Sequence, residues 1–557
     1  MQNSLGLRAA VCRALLATTA LWMSSAAAQI VETPIPGDPV AIDTGNVSGK
    51  LLPSGVRAYF GVPFAAPPTG DRRWAEPQAR EAWKGVYNAD RFAPECIQIL
   101  RPHHINHYFG EEATSEDCLY LNIWAPASLP QGEKAPVILW LYGGGLSIGS
   151  ASMPNYGGEG LAQKGVVYVT AGYRVGAFGF MAHPELTATS PHRASGNYGH
   201  LDQIAALQWI QRNIERFGGD PNRVTVMGQS AGASSAFSLQ ASPLAKGLFH
   251  RIVGMSGGGL RAGSDPISQS EAEQSGLELQ RALKVDSLAD LRNVPADRIL
   301  AAQAEFQLGG TAGTVRFRPN IDAYFMPQAP REIFANGAQN DVPLLIGFTR
   351  DESGNELRTA RTIDEFNSAA KQYFGDKADQ FLKLYPVRAD AEVPTVGAAA
   401  VRDGGMATSI RSWALGQVAQ GKAATYVYMY SHPHSYEPGV AIADLNPATA
   451  GAYHTSEVPF FLLTQDVYNR IRPTRAWTDY DRALADKMSD VLVAFAKTGI
   501  PATAAVKAPM FTVRTQEFIE FGDEIKVRRF DVKRMDFFST VNMPGAVGAG
   551  APRTPRD

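Results

Sequence analysis

The chain is short of cysteine, has no excess of either charge, and has no long apolar run. Only Cys12, Cys96 and Cys118 occur in 557 residues. Lys+Arg is 52 against 54 Asp+Glu, a formal net charge of -2. With no basic excess and no acidic run, the chain lacks the electrostatic footprint of a nucleic-acid-binding protein. The N-terminal apolar run Ala14–Met23 (ALLATTALWM) falls short of the about 20 residues that a membrane helix needs, and no other run is as long. Internal repeats and low-complexity linkers are missing too. His103, His104 and His107 have no HExxH or Cys/His ligand set beside them, so a polar surface loop accounts for them better than a metal site.

What is present is an ordinary globular composition, 45% hydrophobic and 19% charged, with aromatic material for a large core. Arg8 and Arg13, the apolar run after them and Ala26-Ala27-Ala28 read as a signal peptide cleaved after Ala28. The expected product is exported, periplasmic or secreted, with one folded unit over residues 29–542 and a Gly/Ala/Pro-rich disordered tail over 543–557. Cys12 leaves with the signal. Cys96 and Cys118 remain, and in an exported protein two cysteines most simply form one disulfide, the alternative being two buried thiols.

Short runs rich in Val, Ile and Tyr alternate with helical stretches. VILWLYG (137–143), GVVYVTAGYR (165–174), VTVMG (224–228), VPLLIGF (342–348) and ATYVYMY (424–430) read as strands buried on both faces of a mostly parallel sheet. In HLDQIAALQWIQRNIERFG (200–218), Leu201, Ile204, Leu207, Trp209, Ile210 and Ile214 form an apolar stripe and Gly218 reads as the stop. The fold class is α/β, a central sheet flanked by helices. Residues 262–340 read as a helical insertion over it.

Gly228-Gln229-Ser230-Ala231-Gly232 fits G-x-S-x-G between a strand and a helix, a sharp turn that exposes the serine hydroxyl. The hydroxyl needs a base and a group that orients the base. Downstream, VPLLIGF leads into TRDESGNE, offering Asp351 or Glu352 as the acid, and His432, His434 and His454 as the base. Gly143-Gly144-Gly145 follows VILWLY, where backbone N–H groups can converge on one point.

These motifs, with YFGVPFAAPPTGDRRW (59–74), SEDCLYLNIWAP (115–126), GNYGHLDQIAALQWIQRNIERFGGDPNRVTVMGQSAG (196–232), RDESG (350–354) and YHTSEVPFF (453–461), resemble the type B carboxylesterase and cholinesterase family of α/β-hydrolases over about residues 40–535. The resemblance implies Ser230 as nucleophile, Glu352 as acid and His454 as base. It also implies an oxyanion hole of the Gly144, Gly145 and Ala231 N–H groups, Cys118 as disulfide partner of Cys96, and no cofactor. The chain departs from the family pattern at Ser353 and Thr455, where glycine is usual, and at Gln229, where glutamate is usual. The disulfide loop lacks the tryptophan that cholinesterases use for a quaternary ammonium, which argues against an acetylcholine esterase.

The expected function is hydrolysis of small-molecule carboxylic esters through an acyl-enzyme. The rivals are a lipase acting on glycerides and a non-catalytic, cholinesterase-like interaction protein. Gln229 is expected to donate its amide to Glu457, avoiding a pair of buried carboxylates. The lost charge should favour neutral or anionic esters over cationic ones.

Overall fold

The computed structural model describes residues 33–541, apart from 100–105, 107–111, 262, 264, 308–314, 316 and 471–472. The expected signal segment, Cys12, the C-terminal tail, and His103, His104 and His107 lie outside the described residues.

Eleven strands form one sheet: β1 (Lys50–Leu51), β2 (Arg57–Pro63), β3 (Tyr120–Ala125), β4 (Ala135–Leu141), β5 (Val167–Ala171), β6 (Gly219–Gln229), β7 (Arg251–Met255), β8 (Leu344–Thr349), β9 (Thr425–Tyr430), β10 (Glu517–Phe521) and β11 (Ile525–Arg529). Their spatial order is β11-β10-β9-β8-β7-β6-β4-β5-β3-β2-β1. From β10 through to β5 every pairing is parallel. The pairings of β5 with β3, β3 with β2, β2 with β1 and β10 with β11 are antiparallel, so the sheet is mixed with a parallel centre.

The continuous apolar runs sort by parity. Val137, Leu139 and Leu141 face one side with Val224, Val226, Leu344 and Ile346, while Ile138, Trp140, Met227, Val253 and Leu345 face the other. The first side is covered by α1 (Tyr198–Asn213) and α2 (Ala231–Ala241), the second by α3 (Asp479–Thr498) through Leu484, Met488, Val491 and Phe495. Burial on both faces is why these strands read as unbroken hydrophobic runs instead of alternating ones. Each fully buried Val, Ile or Leu contributes roughly 1.5–3 kcal/mol. Helices Gln269–Leu283, Leu288–Asn293 and Ala296–Gln307 bury Leu279, Leu291 and Ile299 in the same apolar layer as α1.

α1 ends at Asn213, a 3-10 turn continues to Phe217, and Gly218 closes it at φ 88°. The helix is buried almost all round, polar positions included. Asp202 accepts from Arg174 Nε and Nη2 at 2.8 and 2.7 Å, and Gln203 donates to Ser235 at 3.1 Å. His200 packs between the rings of Phe180 and Phe325, and burial pushes its pKa down to about 3.

Cys96 and Cys118 are bridged, Cα to Cα 4.9 Å. At the outer edge of the sheet, β11 presents Lys526, Val527, Arg528 and Arg529 to solvent. Arg528 Nε donates to Glu520 at 2.7 Å and Arg529 Nη2 to Glu517 at 2.8 Å on β10. No helix among the described residues is long and apolar enough to cross a membrane.

Candidate active site

The parallel strands β4, β6, β7, β8 and β9 all end at the same edge of the sheet, and the loops that follow them carry the site. This is where α/β sheets place their chemistry. Between β6 and α2, Ser230 turns the chain through φ 57°, ψ −122°. A non-glycine residue with such a dihedral carries strain of roughly 1–3 kcal/mol, and it persists only where the surroundings enforce it. They do so through contacts that leave no room for side chains. A Cβ on Gly228 would lie 2.3 Å from the Gly232 carbonyl carbon, and one on Gly232 would lie 2.0 Å from the Leu141 oxygen. The Ser230 N–H is taken up by the Met255 carbonyl at 2.7 Å.

Glu352 follows β8. Its Oε1 accepts the Thr349 N–H at 2.9 Å, and its Oε2 lies 2.5 Å from His454 Nδ1. The Glu352 side chain is 2% exposed and that of His454 17%, so the pair opens to solvent through the imidazole. Asp351, the other acid open at the level of sequence, serves elsewhere. It accepts the Ala452 N–H at 2.9 Å and the Arg350 guanidinium at 2.9 Å, tying the loop before His454 to the turn after β8. His432 lies between Asp481 and Asp523, and His434 is buried against Ser456 and Tyr453, so neither approaches Glu352.

The glycine loop packs on this turn through Gly143, where a Cβ would lie 3.1 Å from that of Ser230, and among the described residues the N–H groups of Gly144, Gly145 and Ala231 donate to no backbone acceptor. Gly144 and Gly145 adopt φ 114° and 64°, a left-handed path that glycine enters without strain. Ala231 opens α2 directly after Ser230, and the N-terminal dipole of that helix favours negative charge beside the serine.

Gln229 departs from expectation. Its amide nitrogen lies 3.2 Å from His454 Nε2, and Glu457 takes the Ser256 hydroxyl instead, at 3.4 Å. The side chain runs along the Gly143 turn, where its Oε1 would lie 3.0 Å from a Gly143 Cβ, and that path leads to the imidazole before it reaches Glu457. Among the described residues Ser230 Oγ makes no hydrogen bond, and the Gln229 amide occupies the imidazole nitrogen that faces the turn.

Charge in the site is arranged around the His454 imidazole. Burial opposes protonation of His454, but the hydrogen bond and charge of Glu352, then the charge of Glu457, outweigh it and raise the pKa above the ordinary imidazole value. Glu457 is pushed up to about 8, first by burial and then by the Glu352 charge. Of the other departures, Ser353 is buried and outside the left-handed region, whereas Thr455 is held at φ 82°. A β-branched residue there is strained.

Sequence reasoning passes over β7 and the loop behind it. Gly254 interrupts RIVGM, and a Cβ there would lie 2.7 Å from the Trp413 ring. That loop supplies Ser256 and also Gly257, whose missing side chain lets the chain pass against the Ser230 carbonyl; a Cβ on Gly257 would lie 2.1 Å from that oxygen. The signal is the glycine run after a short apolar stretch, the same pattern as at Gly143. Arg358, which donates to the Asp351 and Ser353 carbonyls at 2.8 and 2.9 Å, has no signal in sequence.

A serine on a strained turn, an imidazole bonded to a carboxylate, and unaccepted N–H groups are the parts required for nucleophilic acyl transfer. Comparison with known proteins points the same way. The profile described as "Carboxylesterase family" matches residues 37–538. The chain is 37% identical over 494 residues to fumonisin B1 esterase of Sphingopyxis macrogoltabida, covering 86% of each. To para-nitrobenzyl esterase of Bacillus subtilis (strain 168) it is 31% identical over 502 residues, 88% of this chain and 95% of that one. A solved structure of a PNB esterase superposes with TM-score 0.72 at 29% identity, over 91% of this chain and 99% of the other.

Proposed function

We propose, for a chain that belongs to the carboxylesterase family, an ester hydrolysis carried out by Ser230, His454 and Glu352 through an acyl-enzyme. The observation that carries this reading is the His454–Glu352 pair at 2.5 Å beside the strained Ser230 turn. Ser230 Oγ attacks the ester carbonyl and its proton passes to His454 Nε2. Glu352 holds Nδ1–H and stabilises the imidazolium. The Gly144, Gly145 and Ala231 N–H groups receive the oxyanion. The alcohol leaves with the proton from His454, and water, activated by the same imidazole, hydrolyses the acyl-enzyme. Substrate must displace the Gln229 amide from Nε2. Hydrogen bonds of this kind commonly tighten only in the complex.

The protein is further proposed to be exported with residues 1–28 removed, a reading supported by the N-terminal pattern and by a bridge that suits an oxidising compartment. N-terminal sequencing of the exported protein should begin at Gln29, and any other start refutes that cleavage site.

The activity test is a panel of p-nitrophenyl esters of rising acyl length with fumonisin B1 and para-nitrobenzyl esters. Turnover of short acyl chains supports the carboxylesterase reading. Preference for long chains favours the glyceride lipase, and no turnover of any ester favours the non-catalytic rival. In the same panel Gln229→Glu tests substrate charge. The new carboxylate would sit at His454 Nε2. Two unit charges about 7 Å apart interact by roughly 0.6–2.4 kcal/mol between the bulk-water and near-surface limits. The kcat/KM ratio of a choline ester to its neutral analogue should therefore rise roughly 3- to 50-fold. An unchanged ratio between pH 5 and 9 would make Gln229 a packing residue with no electrostatic part in selectivity.

A further inference from the structure

Behind the His454 loop lies a buried cation with no acidic partner among the described residues. Arg475 is 2% exposed. Its Nε donates to His434 Nδ1 at 3.1 Å, and its Nη2 donates to Tyr453 Oη at 3.1 Å and to Asn106 Oδ1 at 2.7 Å. The guanidinium carbon lies 4.4 Å from the Tyr436 ring centroid and 5.3 Å from that of Tyr468. Aromatic faces and neutral acceptors thus take the place of a counter-ion. Burying a charge in this way is costly, so the arrangement calls for something that only a rigid multi-donor fork can do.

The partners show what that is. Tyr453 immediately precedes His454. His434 Nε2 donates to the carbonyl of Ser456, two residues beyond it, at 2.7 Å. Burial, then the Arg475 charge, push the His434 pKa down to about 3, so the ring is neutral. With its one proton committed to Ser456, Nδ1 is a lone pair that accepts from Arg475 and from the Tyr453 hydroxyl at 3.1 Å. One guanidinium therefore grips the chain on both sides of His454. Between the two grips sits Thr455 at φ 82°, a dihedral that persists only when its surroundings enforce it.

We infer that Arg475 is a positioning residue for hydrolysis: through Tyr453 and His434 it clamps the strained loop so that His454 Nδ1 stays on Glu352. The inference rests on the reading of His454 as the base. Among the described residues Glu352, Glu457 and Gln229 face the imidazole, and Arg475 acts on it through the loop.

The test compares Arg475→Met, Tyr453→Phe and His454→Ala with the wild type on p-nitrophenyl butyrate across pH 5–9, with thermal unfolding alongside. In Arg475→Met, kcat should fall about 10- to 100-fold, the scale of a small misplacement of a reacting group, while KM stays within about threefold. The acid limb of kcat/KM should move to lower pH, because a looser Glu352 contact leaves burial to depress His454. Removing a nearby positive charge with no change of position would move that limb upward. An upward shift, or an unmoved limb with unchanged kcat, overturns the inference even if the protein is less stable. Tyr453→Phe removes one grip without altering charge and should give a smaller change in the same direction. It decides the matter should Arg475→Met fail to fold, and wild-type kcat and acid limb in it would then sink the clamp. Loss of activity in His454→Ala with wild-type behaviour in both other variants removes the clamp alone. Full activity in His454→Ala removes the base assignment and the clamp together.

Discussion

Ser230→Ala should reduce kcat on a p-nitrophenyl ester by about 10⁵- to 10⁶-fold, to the residual rate that binding and the oxyanion donors alone provide. Labelling by a fluorophosphonate should vanish with it. The substitution removes only Oγ, which makes no hydrogen bond among the described residues, so the unfolding midpoint should hardly move. The strain at φ 57° remains, because alanine keeps the Cβ. Ser230→Gly should be equally inactive yet more stable by about 1 kcal/mol, as the left-handed turn costs glycine little. Two other hydroxyls compete for the role. Ser234 Oγ accepts the Gly258 N–H at 3.1 Å, and Ser256 Oγ donates to Glu457 at 3.4 Å. Retention of more than about 1% of wild-type kcat in Ser230→Ala, against the loss expected for a triad nucleophile, would pass the nucleophile to one of them. Mass mapping of the fluorophosphonate adduct would say which.

Glu352→Gln should have the second-largest effect, about 10³- to 10⁴-fold in kcat, with substrate binding little changed. An amide can still accept from Nδ1–H, so the imidazole is held, but the negative charge that stabilises the imidazolium is gone. The direction of the pH response follows from the forces on His454. Burial lowers its pKa, and Glu352 supplies the hydrogen bond and most of the charge that raise it. Without that carboxylate the acid limb of kcat/KM should move to lower pH. Glu457 should respond in the same direction. Its pKa of about 8 is due first to burial and then to the Glu352 charge, so it should ionise at lower pH in the variant. An alkaline inflection near pH 8 in the wild type that moves down in Glu352→Gln would identify Glu457 as its source. An acid limb that stays put, with kcat within about tenfold of wild type, would show that Glu352 is not the partner of the base.

Much of the sheet is legible in the sequence because burial on both faces writes itself as runs of Val, Ile and Tyr. The five runs that read as strands all lie in the central sheet. RIVGM does not announce itself as a strand, since Gly254 makes room for the Trp413 ring, a demand made by a residue more than 150 positions away. For α1 the stripe locates the helix and Gly218 locates its end, but a stripe predicts one apolar face and the helix is buried on nearly all sides. Polar residues can sit inside when each has a partner, and Arg174 and Ser235 are remote in sequence from Asp202 and Gln203. The site divides in the same way. The Ser230 turn and the glycine loop are local patterns and can be read. The choice between Asp351 and Glu352 turns on which carboxylate faces the imidazole and which faces the Ala452 N–H, a matter of a few ångströms across two loops. The expected target of Gln229 is wrong for the same reason: the path of its side chain is set by the Gly143 turn on another strand.

The charged outer strand bears on how copies of the chain meet one another. A sheet edge offers a row of backbone donors and acceptors to any passing strand, including its own duplicate. If two copies of β11 paired antiparallel about Val527, Lys526 of each would stand opposite Arg528 of the other, like charges in directly facing positions. The carboxylates that neutralise the arginines, Glu517 and Glu520, sit on the inner neighbour and are already engaged. Self-association along this edge is therefore opposed in that register, where the outermost strand of the eleven meets its duplicate cation to cation.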